Sequence, residues 1–163
     1  MAAADKVLDR HEIARRLESV RSRGGIIVFT CGVFDLLHVG HVRYLEFARG
    51  LGDALVVGVN SDASVKQLAK GAGRPIVPDR ERAEIVAALA SVDFVCVYDE
   101  LRPNATIEVI RPRIHVKDAA YQGQALPEAA AVQAVGGEVR FAPHVAERST
   151  TLLLQRLAAG KTS

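Results

Sequence analysis

Two histidines flank a glycine in the segment Thr30-Cys31-Gly32-Val33-Phe34-Asp35-Leu36-Leu37-His38-Val39-Gly40-His41. A spacing of i and i+3 puts both rings on one face of a helix. With the helix beginning near Val39, they stand at its first turn, where backbone N–H groups lack partners and the helix dipole is positive. Imidazole N–H donors beside such an end make a site for an anion, phosphate above all. Gly40 removes a Cβ where a ligand must approach the backbone, and Gly32 permits the tight turn into the helix. The same pair would also serve as half a metal site, but a third ligand at metal spacing is missing.

Other segments carry further candidates. Arg148-Ser149-Thr150-Thr151 precede the apolar Leu152-Leu153-Leu154. Ser149 there reads as a helix cap, and three hydroxyls with an arginine at a helix start also make a second anion site. Ser61 or Asp62, after Val59-Asn60, reads as the cap of another helix. Lys66 and Lys70 flank a glycine-rich stretch, and Lys66 is the better placed to reach a substrate phosphate. Arg74, in Gly73-Arg74-Pro75-Ile76, is either a clamp on an acceptor or a surface charge. Arg82 falls in the first turn of a helix, where a cation opposes the dipole. That fits a bound phosphate or no role at all.

These residues need a frame to bring them together. Asp5 to Arg23 reads as an amphipathic helix ended by Gly24-Gly25. Short apolar runs then alternate with helical stretches. Strands are expected at 26–29, 54–59, 94–97, 113–116 and 138–141, with helices at 39–51, 62–69, 80–91, 103–110, 127–135 and 149–159. The alternation implies an α/β fold, a doubly wound sheet of about five parallel strands with helices on both faces. In such sheets ligands bind beyond the carboxyl ends of the strands, and the candidates above cluster there. The whole chain, 1–163, reads as a single domain: an N-terminal helix (1–23), a core (24–159) and a frayed tail (160–163).

Composition removes other classes. The 163 residues are 49% hydrophobic and 25% charged, which excludes a disordered or coiled-coil chain. A formal net charge of +2 is too small to argue for nucleic acid or a membrane surface. Two cysteines, Cys31 and Cys96, exclude a disulfide scaffold. There is no signal-peptide pattern and no run long enough to span a bilayer, so a cytoplasmic location is expected.

The set Gly32, Phe34, Asp35, His38, Gly40 and His41 fits GxFDxxHxGH and resembles the HxGH signature of the nucleotidylyltransferase superfamily, in its cytidylyltransferase-like branch. The likeness runs from about Gly25 to Leu157. It includes Gly58-Val59-Asn60-Ser61-Asp62-Ala63-Ser64, Ala88-Leu89-Ala90-Ser91-Val92-Asp93 and Arg148-Ser149-Thr150-Thr151. It is nearest to the bacterial heptose 1-phosphate adenylyltransferases, stand-alone or fused to a kinase. The resemblance implies a Rossmann-like fold and transfer of an adenylyl group from ATP to a sugar 1-phosphate, with pyrophosphate leaving. It implies that His38 and His41 act on the α- and β-phosphates, with Lys66 assisting. Thr30, Gly32, Val33, Phe34, Gly40, Lys117, Arg148, Ser149, Thr150 and Thr151 would hold the nucleotide. Asp35, Asn60, Asp62, Lys66 and Arg74 would face the acceptor. Mg²⁺ would come with the triphosphate, with Asp35 the best protein ligand. A homodimer, and a role in making ADP-heptose for lipopolysaccharide, follow from the resemblance alone.

Two departures stand out. The adenylyltransferases carry Lys-Gly-Gly-Asp-Tyr where this chain has Lys117-Asp118-Ala119-Ala120-Tyr121. The positive φ that glycine adopts freely is costly for alanine. The glycerol 3-phosphate cytidylyltransferases have an arginine where this chain has His144. Alternative readings are a CTP-dependent enzyme acting on glycerol 3-phosphate or another small phosphate, and a non-catalytic nucleotide-binding module.

Overall fold

A computed structural model of the chain describes residues 1–68, 73–143, 150–158 and 160. Five parallel strands form one sheet: β1 (Ile27–Gly32), β2 (Ala54–Asn60), β3 (Phe94–Tyr98), β4 (Ile114–Asp118) and β5 (Glu138–Ala142), in the order β3-β2-β1-β4-β5. Among the described residues, eight α-helices connect and flank them: α1 (Arg10–Arg16), α2 (Glu18–Ser22), α3 (Val39–Arg49), α4 (Asp62–Gln67), α5 (Asp79–Ala87), α6 (Asn104–Ile110), α7 (Ala129–Ala134) and α8 (Thr150–Ala158). The expected α/β architecture is the one that forms.

The apolar runs become strands because helices cover both of their faces. All seven residues of β2 are buried. Leu55, Val57 and Val59 point to one side, where they pack with Leu45 and Ala48 of α3 and Ala83, Val86 and Ala87 of α5. Ala54 and Val56 point to the other, against Ile13, Leu17, Val20, Ile107, Ile110 and Val132. Each fully buried Val, Leu or Ile contributes about 1.5–3 kcal/mol, so these two layers supply the main driving force for folding.

The N-terminal region differs from the single helix expected. A 3-10 turn (Ala4–Lys6) is followed by Val7, which bridges in parallel to Val95, and the Leu8 N–H donates to the Val95 carbonyl at 2.9 Å. This segment lies along the β3 edge and satisfies part of it. Helix α1 starts only after Asp9, whose carboxylate caps it by accepting from the His11 N–H at 2.8 Å. Helix α5 likewise ends at Ala87, short of the expected Ser91.

The chain winds outward from β1 through β2 to β3, then returns to place β4 on the other side of β1. The winding therefore reverses between β1 and β4. A crevice opens at the carboxyl ends of these two strands, and Gly32 and Asp118 mark its rim.

Candidate active site

His38 is the N-cap of α3, and His41 sits three residues on. The Nδ1 of His38 accepts from the Gly40 N–H at 3.1 Å, and the Nδ1 of His41 accepts from the His38 N–H at 3.3 Å. Each ring thus satisfies a backbone donor of the helix end, in the manner of a capping box. A nitrogen that accepts carries no proton, so both neutral rings hold theirs on Nε2. The ring centroids are 3.9 Å apart. Burial, and then the neighbouring His38, push the His41 pKa down to about 4. At neutral pH His41 is therefore an uncharged N–H donor at the positive end of a helix. Phe34 packs its ring 5.4 Å from that of His41 and adopts φ +49° to do so. The Phe34 ring also lies over Gly32, where an added Cβ would come within 3.1 Å of it.

Asp35 lines the cavity and also makes contacts the sequence does not announce. Its side chain is fully buried. One oxygen accepts from the N–H groups of Ile76 and Val77 at 2.8 and 3.0 Å, and the other pairs with Arg74 Nε at 2.9 Å. Three of its roughly four acceptor positions are filled. Asp35 clamps the 74–77 segment onto the end of β1, and the filled positions argue against its role as a metal ligand. Arg74 is held by this clamp at the cavity wall rather than lying on the surface.

Arg82 is the largest fully buried side chain. It donates to the carbonyls of Val33, Asn60 and Val77 and to the Asp62 carboxylate, the last at 2.8 Å. Its cost in the first turn of α5 is offset by tying together the ends of β1 and β2 and the 74–77 segment. Asp62 is committed to Arg82 and does not line the cavity. Ser61, not Asp62, caps α4, by accepting from the Ser64 N–H at 3.2 Å.

The crevice holds a cavity of about 360 Å³. Gly32, Val33, Phe34, Asp35 and His41 form one wall. Asn60, Arg74, Arg102, Lys117, Tyr121 and Glu128 contribute from the other strand ends. Lys117 Nζ lies 3.0 Å from Glu128 Oε1 and 4.8 Å from the centroid of the Tyr121 ring. Thr30 lies beneath the site: its hydroxyl is 2.6 Å from Tyr44 Oη, and both hydroxyls meet the Val116 carbonyl within 3.0 Å. Its side chain braces β1 to β4 and to α3. The Asp118-Ala119-Ala120 departure is resolved by a 3-10 turn (Ala119–Tyr121), in which Asp118 accepts from the Ala120 N–H at 2.8 Å. Neither alanine has positive φ.

Lys66 is not brought to the cavity. It is exposed on α4, whose Ser64 and Val65 face inward, and it is not among the cavity's lining residues. Lys70, His144, Arg148 and Ser149 lie outside the described residues, and Thr150 and Thr151 are described only as the start of α8. Arg102 and Glu128 also line the cavity, outside the residues that the sequence singles out. Arg102 has only a weak signal, since it lies in the loop that follows β3, between Tyr98 and the start of α6. Glu128 has none, because its partner is distant in the chain.

The alternating sheet, its switch-point crevice and the imidazole pair at a helix N-terminus define the chain as a Rossmann-like protein built to hold a phosphate-bearing nucleotide. Residues 29–156 match the cytidylyltransferase-like family, and the chain belongs to it, a family of nucleotidyltransferases. The chain is 46% identical over 152 residues to the bifunctional protein HldE of Syntrophotalea carbinolica, covering 93% of this chain and 31% of that protein. It is 48% identical over 147 residues to the bifunctional protein HldE of Citrifermentans bemidjiense, covering 90% and 29%. The chain thus spans about a third of the length of these relatives. A lipopolysaccharide core biosynthesis protein from Thermoplasma volcanium superposes with a TM-score of 0.62 at 28% identity, over 75% of this chain and 98% of that one. Among the described residues, no helix is long and apolar enough to cross a membrane.

Proposed function

We propose that the chain transfers the adenylyl group of ATP to a heptose 1-phosphate, giving an ADP-sugar and pyrophosphate. The observation that carries this is the pair of Nε2–H donors, His38 and His41, at the N-terminus of α3 beside the crevice. The sequence likeness to heptose 1-phosphate adenylyltransferases, the HldE relatives and the lipopolysaccharide-related neighbour support the choice of acceptor.

The acceptor phosphate is a dianion near neutral pH, since its second pKa is about 6. It attacks the α-phosphorus without a general base. The work left to the protein is positioning and charge stabilisation. His41, neutral, donates to an α-phosphate oxygen as charge builds in the transition state, and His38 acts beside it. Arg74, held by Asp35, and Lys117, held by Glu128, supply positive charge across the cavity. Arg148, Ser149, Thr150 and Thr151 complete the proposal by receiving the leaving pyrophosphate. Both cavity carboxylates, Asp35 and Glu128, are already paired, so the described residues do not form a magnesium cage. The ion would arrive on the phosphate oxygens of ATP.

The test is pyrophosphate release, with ATP and CTP each offered heptose 1-phosphate and glycerol 3-phosphate in the presence of magnesium. Release confined to ATP with heptose 1-phosphate is expected. Release with CTP and glycerol 3-phosphate would overturn the proposal.

A further inference from the structure

The part of the crevice that the catalytic account uses least is the interior group behind Lys117. Glu128, just before α7, is 4% exposed, and its Oε1 meets both Lys117 Nζ at 3.0 Å and His115 Nε2 at 3.4 Å. His115, on β4, is fully buried and stacks on Phe29 with centroids 5.5 Å apart. Cys31 comes in from β1, and Tyr121 covers the ammonium from the 3-10 turn. Burial pushes the Cys31 thiol up and the His115 imidazole down, so both are neutral at pH 7. Burial works against the Glu128 carboxylate too, but His115 and Lys117 outweigh it and hold its pKa at about 2. Burial also works against a charged Lys117, yet Cys31, once ionised at high pH, and the Glu128 carboxylate outweigh that and its pKa is raised; at pH 7 the carboxylate alone faces the ammonium as a charge. Among these groups the net charges are one carboxylate and one ammonium.

A pair this deeply desolvated is a poor source of stability, since two apolar side chains of the same volume generally do as well. Both members, however, line the cavity. Without the carboxylate, a lysine on a flexible four-carbon stem would lose its fixed position and part of its preference for charge.

We propose that Glu128 is a positioning residue, buttressed by His115, that holds the Lys117 ammonium at the cavity wall for a phosphate group of the substrates. This rests on the reading of the crevice as the nucleotidyl-transfer site. Cys31 Sγ, a His115 ring nitrogen and a Glu128 oxygen also lie within 4.8 Å of one another, a donor set that zinc accepts. The ammonium 3.0 Å from the carboxylate already supplies the cation, so the carboxylate is assigned to the lysine.

The experiment is a double-mutant cycle of Glu128→Gln and Lys117→Met in the full chain. It reads kcat and KM for pyrophosphate release, affinity for inorganic pyrophosphate by calorimetry, melting temperature and metal content. Glu128→Gln is expected to lower kcat/KM or weaken pyrophosphate binding by about tenfold or more, and to add less than twofold in the Lys117→Met background. Glu128→Asp, which keeps the charge but shortens the side chain, should recover part of the loss, and it decides the matter if the glutamine variant does not fold. Full activity and binding in Glu128→Gln, additive effects in the cycle, or one equivalent of zinc in the purified chain would each overturn the proposal. If the parent binds pyrophosphate through this pair but never turns over, the positioning role stands and the proposed function falls. If the parent turns over and the pair is silent, the reverse holds.

Discussion

Asp35→Asn exchanges one carboxylate oxygen for an amide nitrogen and leaves the side-chain shape intact. The remaining oxygen can still accept from the Ile76 and Val77 N–H groups, now without charge assistance. The nitrogen meets Arg74 Nε donor to donor, 2.9 Å away. A hydrogen bond to a charged group contributes about 1.5–3 kcal/mol, and an unpaired buried donor costs about 1–3 kcal/mol. Part of this relaxes as Arg74 swings out, which leaves a loss of about 2–4 kcal/mol. If all of it falls on the clamped form of the 74–77 segment, kcat/KM drops roughly 30- to 10³-fold, at tenfold per 1.4 kcal/mol. If it falls on global stability, the melting temperature drops by roughly 4–16 °C, at about 2–4 °C per kcal/mol. Steady-state kinetics, thermal melts and a magnesium titration separate the outcomes. A clamp predicts that the magnesium concentration for half-maximal rate stays where it was, and that Arg74→Ala reproduces much of the kinetic loss. A tenfold rise in the magnesium requirement, with an unchanged melting temperature and a harmless Arg74→Ala, would refute the clamp and restore Asp35 as a metal ligand.

Arg82→Leu strips the partners from Asp62 and from three carbonyls, so it should cost about 3 kcal/mol and lower the melting temperature by roughly 6–12 °C; a thermal melt within 2 °C of the parent would contradict the tie. Lys66→Ala should keep kcat within about twofold, because the side chain is exposed and does not line the cavity; a tenfold fall in a turnover assay would return Lys66 to the site. The pH dependence has a definite sign. The His41 pKa is lower in the folded chain, at about 4, than in the unfolded chain at about 6.5, so the unfolded state binds more protons between these values. This stabilisation is present above pH 6.5 and is lost as pH falls towards 4. Chemical denaturation at pH 7 and 4.5 should show a drop that is smaller in His41→Gln, and equal drops in the two proteins would contradict the assignment.

Local patterns were legible in the sequence and long-range pairings were not. Short β-branched runs such as Val56-Val57 suffice to specify buried strands, and their alternation with helices fixes the winding. His38 and His41 are visible because their relation is a helical spacing within one turn. Asp35 was recognised as chemically important, but its partners lie 39, 41 and 42 residues further on. The clamp on the 74–77 segment is therefore a role that no local pattern could show. Arg82 reaches residues from three other segments, and no local pattern announces that. Lys66 stands out in the sequence only by nearness to a glycine-rich stretch, whereas the face of α4 it occupies decides its exposure. The Asp118-Ala119-Ala120 departure looked unfavourable only while a positive φ was assumed there; an aspartate-capped 3-10 turn removes the need for one.

The central claim is that a neutral imidazole at the start of α3 stabilises charge on the transferring phosphoryl group. The measurement that bears on it most directly is kcat for pyrophosphate release by His41→Ala, with melting temperature recorded on the same sample. Loss of one such donor predicts a fall of about 10²-fold or more in a protein that still folds. A folded His41→Ala protein whose kcat stays within threefold of the parent would contradict the account.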